Sequence, residues 1–90
     1  AQHPAESSGD READRYSSDI GARLPRFCDR YAISQREREV LRLVLLKKST
    51  QEIASDLFIS TGTVKAHLHR IYSKVGTTNR QDLATAFWKF

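Results

Sequence analysis

From Leu57 to Gln81 the chain has no Asp or Glu, yet it carries Lys65, Arg70, Lys74 and Arg80 together with His67 and His69. Solvated helices normally mix their signs. A one-signed stretch of this kind is the electrostatic footprint of a polyanionic partner, and nucleic acid or an anionic membrane surface would both fit it. Metal chemistry fits less well. His67 and His69 stand at i and i+2, which point to different sides of a helix and cannot close on one ion. Glu37 and Glu39 have the same spacing and face apart, so they do not form an acid pair. Cys28 stands alone, which excludes an internal disulfide and a cysteine-rich zinc site and reads as a small buried hydrophobe. No nucleophile, base and orienting group converge, so no enzyme, cofactor or metal is expected.

These side chains must be positioned by helices. Ser34-Gln35-Arg36-Glu37 and Ser49-Thr50-Gln51-Glu52 both have the form of a capping box, in which Ser and Glu satisfy each other's free backbone N–H groups. The first predicts a helix to about Leu46, with Val40, Leu41, Val44 and Leu45 inward. The second predicts a short helix to about Leu57, with Ile53, Ala54 and Leu57 inward. Phe58-Ile59-Ser60 leaves only a tight link before the next helix, as a helix-turn-helix requires. That helix is expected from the cap Ser60 to Val75, ended by Gly76, and a last one from about Arg80 to Trp88 is capped within Thr77-Thr78-Asn79. Upstream, Ile20, Leu24, Phe27, Cys28 and Tyr31 share one helical stripe, so a further helix is expected within 18–32, with Pro25 kinking or starting it. The fold class is therefore all-α: a four-helix bundle with a central helix-turn-helix, preceded by an extra N-terminal helix.

Composition agrees with one small domain. Of the 90 residues, 39% are apolar and the net charge is +4. Residues 1–15 contain no Val, Ile, Leu, Phe or Trp and cannot repay the entropy of ordering. Residues 1–17 are expected to be a disordered tail or linker, 18–33 a helical connecting segment, and 34–90 the functional domain. The split is also electrostatic: residues 1–33 hold five basic and six acidic side chains, and residues 34–90 hold ten and five. No run approaches the roughly 20 apolar residues that cross a bilayer, so no membrane contact and a cytoplasmic location are expected.

On the helix from Ser60 to Val75, Val64, Leu68, Ile71 and Val75 fall on one side at about 100° per residue. Gly62, Lys65, Ala66, His69, Arg70 and Ser73 spread over the other. A major groove about 12 Å wide admits one helix whose entering face has small residues for close approach and long polar ones for base edges. Gly62 and Ala66 supply the first, and Lys65 and His69 the second, with Ala66 able to meet a thymine methyl. Arg70, His67 and Lys74 flank that face and suit phosphates. So do the hydroxyls of Ser60 and Thr63 and the N-terminal N–H groups near Thr61 to Thr63.

From Ile33 the string ISQREREVLRLVLLKKSTQEIASDLFISTGTVKAHLHRIYSKVGTTNRQDLATA resembles the C-terminal DNA-binding domain of LuxR-type (GerE- or FixJ-type) bacterial transcription regulators. The likeness covers about residues 34–88. QREREVL, QEIASDLFIS, GTVKAHLHRIYSKVG and NRQDL are its most specific parts. It implies sequence-specific binding of double-stranded DNA as a regulator's output domain, with Lys65, Ala66 and His69 reading bases. Ser60, Thr61, Thr63, His67, Arg70, Lys74 and Arg80 would hold phosphates. It also implies a homodimer on paired half-sites, for which Leu83, Phe87 and Trp88 are the candidate contacts, and RNA polymerase as a further partner. One departure stands out: Lys47 occupies the place where the family usually ends its first helix with glycine, so a non-glycine must take that turn. The rival within DNA binding is sigma-factor region four, which shares the EIA, IS and TVK pattern. A rival of another class is a helical protein-interaction adaptor, suggested by the apolar end Phe87-Trp88-Lys89-Phe90.

Overall fold

The computed structural model describes residues 4–90, with side chains from Arg15 onward. Five helices follow one another: α1 Pro4–Tyr31, α2 Gln35–Leu45, α3 Thr50–Leu57, α4 Thr61–Val75 and α5 Arg80–Lys89. There is no strand among the described residues. The helix starts after Ser34 and Ser49 follow from their chemistry. Each serine hydroxyl accepts from the backbone N–H of the glutamate three residues on, and that carboxylate accepts in return from the serine's own N–H. Ser60 and Asn79 cap α4 and α5 by accepting from Thr63 and Asp82. A cap of this kind contributes about 1 kcal/mol.

The helix ends repeat one device. Ile33 donates to Cys28, Lys48 to Leu43, Ile59 to Ala54 and Thr77 to Tyr72, each closing the wide bond of a left-handed helix stop. The residue that turns is Ala32 (φ 55°), Lys47 (φ 67°), Phe58 (φ 57°) and Gly76 (φ 86°), so only one of four is glycine. Lys47 thus makes the left-handed turn expected of a non-glycine there, with its own N–H donating to Val44 at 2.9 Å.

Helix α1 is longer than expected. It extends back to Pro4 through the stretch read as a tail, and residues 1–3 lie outside the described residues. It also continues through Pro25 without a break. A proline removes one intrahelical bond, but here both Pro25 and Gly21, whose carbonyl loses its donor, are exposed. Meanwhile Ile20, Leu24, Phe27 and Cys28 on the opposite side are buried and hold the helix.

Helix α4 is the hub, packing against α2, α3 and α5, while α1 packs on α2. Ile20, Phe27, Val40, Leu41, Leu45, Ile53, Val64, Ile71, Leu83 and Phe87 have essentially no exposed surface. Burying each contributes roughly 1.5–3 kcal/mol. Aromatic rings tie α1 to α5: Phe27 lies 5.2 Å from Phe87 and 5.5 Å from Phe90, and Tyr16 lies 5.3 Å from Trp88. Arg23 stacks over Trp88 and donates to its carbonyl at 3.1 Å, and the Tyr16 hydroxyl donates to the Leu45 carbonyl at 2.9 Å.

Candidate nucleic-acid interface

The period of α4 places Val64, Leu68 and Ile71 in the core and so turns the other side outward. Gly62, Lys65, Ala66, His69, Arg70 and Ser73 are all exposed. The side chains of Lys65, His69 and Arg70 form no hydrogen bond or ion pair with any described residue. A helix face that carries cations and leaves them unpaired in the folded chain keeps them available to an anion.

At its N-terminal end the face begins with the helix cap. Ser60 Oγ accepts from the Thr63 N–H at 3.1 Å and lies 2.9 Å from Thr63 Oγ1. The two hydroxyls expected at phosphates are therefore held together by the cap itself, beside exposed Thr61. Beyond them, an open hollow between α4 and the start of α5 is lined by Thr50, Lys65, Leu68, His69, Tyr72, Thr78 and Arg80. Tyr72 and Thr78 were not among the residues expected at the site. Tyr72 is half-buried, and burial pushes its phenol above the ordinary value, so it is a hydroxyl donor throughout the neutral range.

Two expected phosphate ligands are committed elsewhere. Lys74 Nζ donates to Glu37 Oε1 at 2.6 Å and to the Ala32 carbonyl at 2.9 Å. Glu37 is the one buried charged residue among those described, at 4% exposure. Burial by itself raises its carboxyl. Hydrogen bonds from Lys74 and from the Ser34 backbone and hydroxyl overcome this and hold the group below the usual carboxylate value. Removing the ammonium would strand that charge. Arg80 likewise donates to the Lys48 carbonyl at 2.5 Å and to Thr50 Oγ1 at 3.0 Å, tying the start of α5 to the α2–α3 turn. In the folded chain both side chains are therefore occupied by acceptors of the chain itself. Sequence spacing puts them beside the basic face, but the partners that occupy each lie thirty or more positions away.

The expected dimer contacts all lie on α5. Leu83 and Phe87 are 0% exposed inside the chain's own core, because they belong to the side of α5 that packs on the bundle. Trp88 is half-buried under Tyr16 and Arg23. His67 is half-buried too, and its Nδ1 is enclosed with no hydrogen-bond partner among the described residues. The remaining expected residues, Lys65, Ala66 and His69, lie together on the open face.

No cluster of metal-ligating side chains occurs among the described residues, and no helix there is long and apolar enough to cross a membrane. Known proteins resemble this chain over its helical bundle. It is 43% identical over 56 residues to the putative HTH-type transcriptional regulator YhjB of Escherichia coli (strain K12), covering 62% of this chain and 28% of that protein. It is 44% identical over 50 residues to the spore germination protein GerE of Bacillus subtilis (strain 168), covering 56% of this chain and 68% of GerE. It is also 42% identical over 48 residues to the probable transcriptional regulatory protein NarL of Mycobacterium tuberculosis (strain ATCC 25618 / H37Rv), covering 53% of this chain and 22% of that protein. The chain therefore spans less than a third of the length of YhjB and NarL. No solved structure matches it significantly. Residues 32–87 match the family described as bacterial regulatory proteins, luxR family. Since that match takes in most of the chain and all of α2 to α4, the chain belongs to the luxR family and carries its non-catalytic helix-turn-helix DNA-binding domain.

Proposed function

We propose that this domain binds double-stranded DNA sequence-specifically, as the output domain of a bacterial transcription regulator, by laying α4 in the major groove. The observation that carries this is the exposed outer face of α4, basic and free of acid, whose Lys65, His69 and Arg70 have no partner among the described residues. Lys65 and His69 reach base edges, and Ala66 lets the helix backbone approach and meets a thymine methyl. Arg70, Thr61, Thr63 and Ser60 hold the phosphates on either side, with the N–H groups of the first turn adding donors. Tyr72 and Thr78 in the adjoining hollow extend that set.

The assembly that suits this role is a homodimer on two half-sites. With Leu83 and Phe87 inside the core, its contact is the outer edge of α5, where exposed Thr85 and Lys89 lie beside Trp88. Location in the bacterial cytoplasm and contact with RNA polymerase accompany the role.

The test is selection of bound duplexes from a random pool, followed by titration of the selected site and a random duplex over a range of salt. Affinity for both should fall steeply as salt rises, because phosphate contacts release counterions. Lys65→Ala should weaken the selected site by about 1 to 3 kcal/mol and the random duplex less. A flat salt response, or equal losses on both duplexes, refutes the reading of α4.

A further inference from the structure

Near the start of α4 stand two residues that the fold itself does not ask for. Phe58, which turns the chain between α3 and α4, has φ 57° and ψ 44° and is 93% exposed. A side chain in the left-handed region costs roughly 1 kcal/mol or more, and this stop position is the one glycine fills most cheaply. A phenyl ring left in water gains nothing in return. Beyond the cap, Gly62 lies in the first turn of α4. A Cβ there would meet only Ser60 Oγ, at 3.8 Å, an ordinary contact. Within a helix, glycine costs about 1 kcal/mol relative to alanine. Local stability alone would exchange the two, putting glycine at 58 and a side chain at 62.

Both residues belong to the acid-free stretch and stand on either side of the N-cap Ser60. The exposed ring therefore stands two residues before the cap that opens α4. An exposed ring beside a bare helix start that leads into a basic face fits the edge of a nucleic-acid duplex, whose sugars offer apolar C–H surface between phosphates. We propose that Phe58 is a duplex contact: its ring packs on deoxyribose at the lip of the groove that α4 enters, and Gly62 keeps the neighbouring backbone bare so that this end of the helix comes close enough. The inference rests on the DNA-binding reading above and adds an apolar, sequence-independent contact to its polar ones. Such a contact releases no counterion, so it contributes affinity without adding to the salt dependence.

The experiment compares the whole chain with Phe58→Gly, Phe58→Leu and Gly62→Ala. Each is measured by thermal melting and by fluorescence anisotropy on a labelled duplex of the selected site and a random duplex of equal length. Phe58→Gly should melt about 5 °C higher, bind both duplexes about tenfold more weakly, and keep the wild-type salt slope. Phe58→Leu should melt like the wild type and bind with intermediate affinity, and Gly62→Ala should melt higher and bind more weakly. Unchanged affinity in Phe58→Gly overturns the proposal, as does a loss of affinity accompanied by a shallower salt slope. Unchanged duplex affinity with weakened self-association in sedimentation overturns it as well, by giving the ring a second copy of the chain as its partner. Should Phe58→Gly not fold, unchanged affinity in Phe58→Leu is the overturning result. A wild-type chain that binds neither duplex instead refutes the DNA-binding reading itself, an outcome distinct from wild-type binding that is indifferent to position 58.

Discussion

Lys65 and Lys74 lie on the same helix, carry the same ammonium and belong to the same acid-free stretch, yet the fold gives them opposite occupations. Lys65 is exposed with no partner among the described residues, while Lys74 is fastened to the buried carboxylate of Glu37 and to the Ala32 carbonyl. Arg70 and Arg80 divide in the same way, the first exposed and the second bonded to Lys48 and Thr50. The contrast teaches that basic charge in the acid-free stretch serves two ends, one left open to a partner and one closing the bundle. Packing decides between them, because only Lys74 and Arg80 meet acceptors of the α1–α2 and α2–α3 regions.

The contrast can be broken most directly at Lys74. Lys74→Ala leaves Glu37 buried without its cation and should cost about 2 kcal/mol, since a buried charge stripped of its partner retains its desolvation penalty. That corresponds to a melting temperature about 10 °C lower. Lys65→Ala should leave the melt within the scatter of surface substitutions, about 0.5 kcal/mol. A Lys74→Ala chain that melts like the wild type would place both lysines in the same class.

Arg80→Ala should cost less, about 1.5 kcal/mol, for the charge-assisted bonds it makes from a half-buried position, whereas Arg70→Ala should cost almost nothing in stability. On duplex DNA the order reverses. Arg70→Ala should lower affinity for every sequence and reduce the salt slope by about 1, and Arg80→Ala should change the slope little. Circular-dichroism melts and salt titrations on the two variants decide it.

The smallest effect is in pH. Glu37 is held below the usual carboxylate value in the folded chain, so on acidification the unfolded chain takes up this proton first. Its contribution to stability is fully present above the usual carboxylate value and is lost as pH falls through the lower, folded one. Glu37→Gln should therefore show a shallower loss of stability with acid than the wild type. Parallel denaturant melts from neutral pH down through the carboxylate range check this, and identical acid slopes would remove Glu37 from the account.

Elements whose cause is local were legible from the residues themselves. Both capping boxes, the Ser60 cap, the inner stripe of α4 and the stop at Gly76 were all readable, because each depends on side chains within one turn of the backbone they satisfy. The three other left-handed stops were harder. Ala32 and Phe58 give no sign of a positive φ, and Lys47 was marked only by the family likeness; what imposes the turn is the bond pattern of the preceding helix end. Pro25, expected to kink or start its helix, lies inside α1, where the buried side outweighs one bond lost to solvent.

The outward position of Lys65, Ala66 and His69 follows from helical period alone, because a helix with one apolar stripe must turn the remainder away from the core. The all-helical bundle and its luxR-type helix-turn-helix were likewise written in periodicity, caps and the order of motifs. The tertiary structure alone decided which cations are spent inside the fold, which apolar residues of α5 are core and no longer surface, and that α1 closes over Trp88. Each depends on a partner brought near by packing, and spacing along a helix carries no information about what stands across from it.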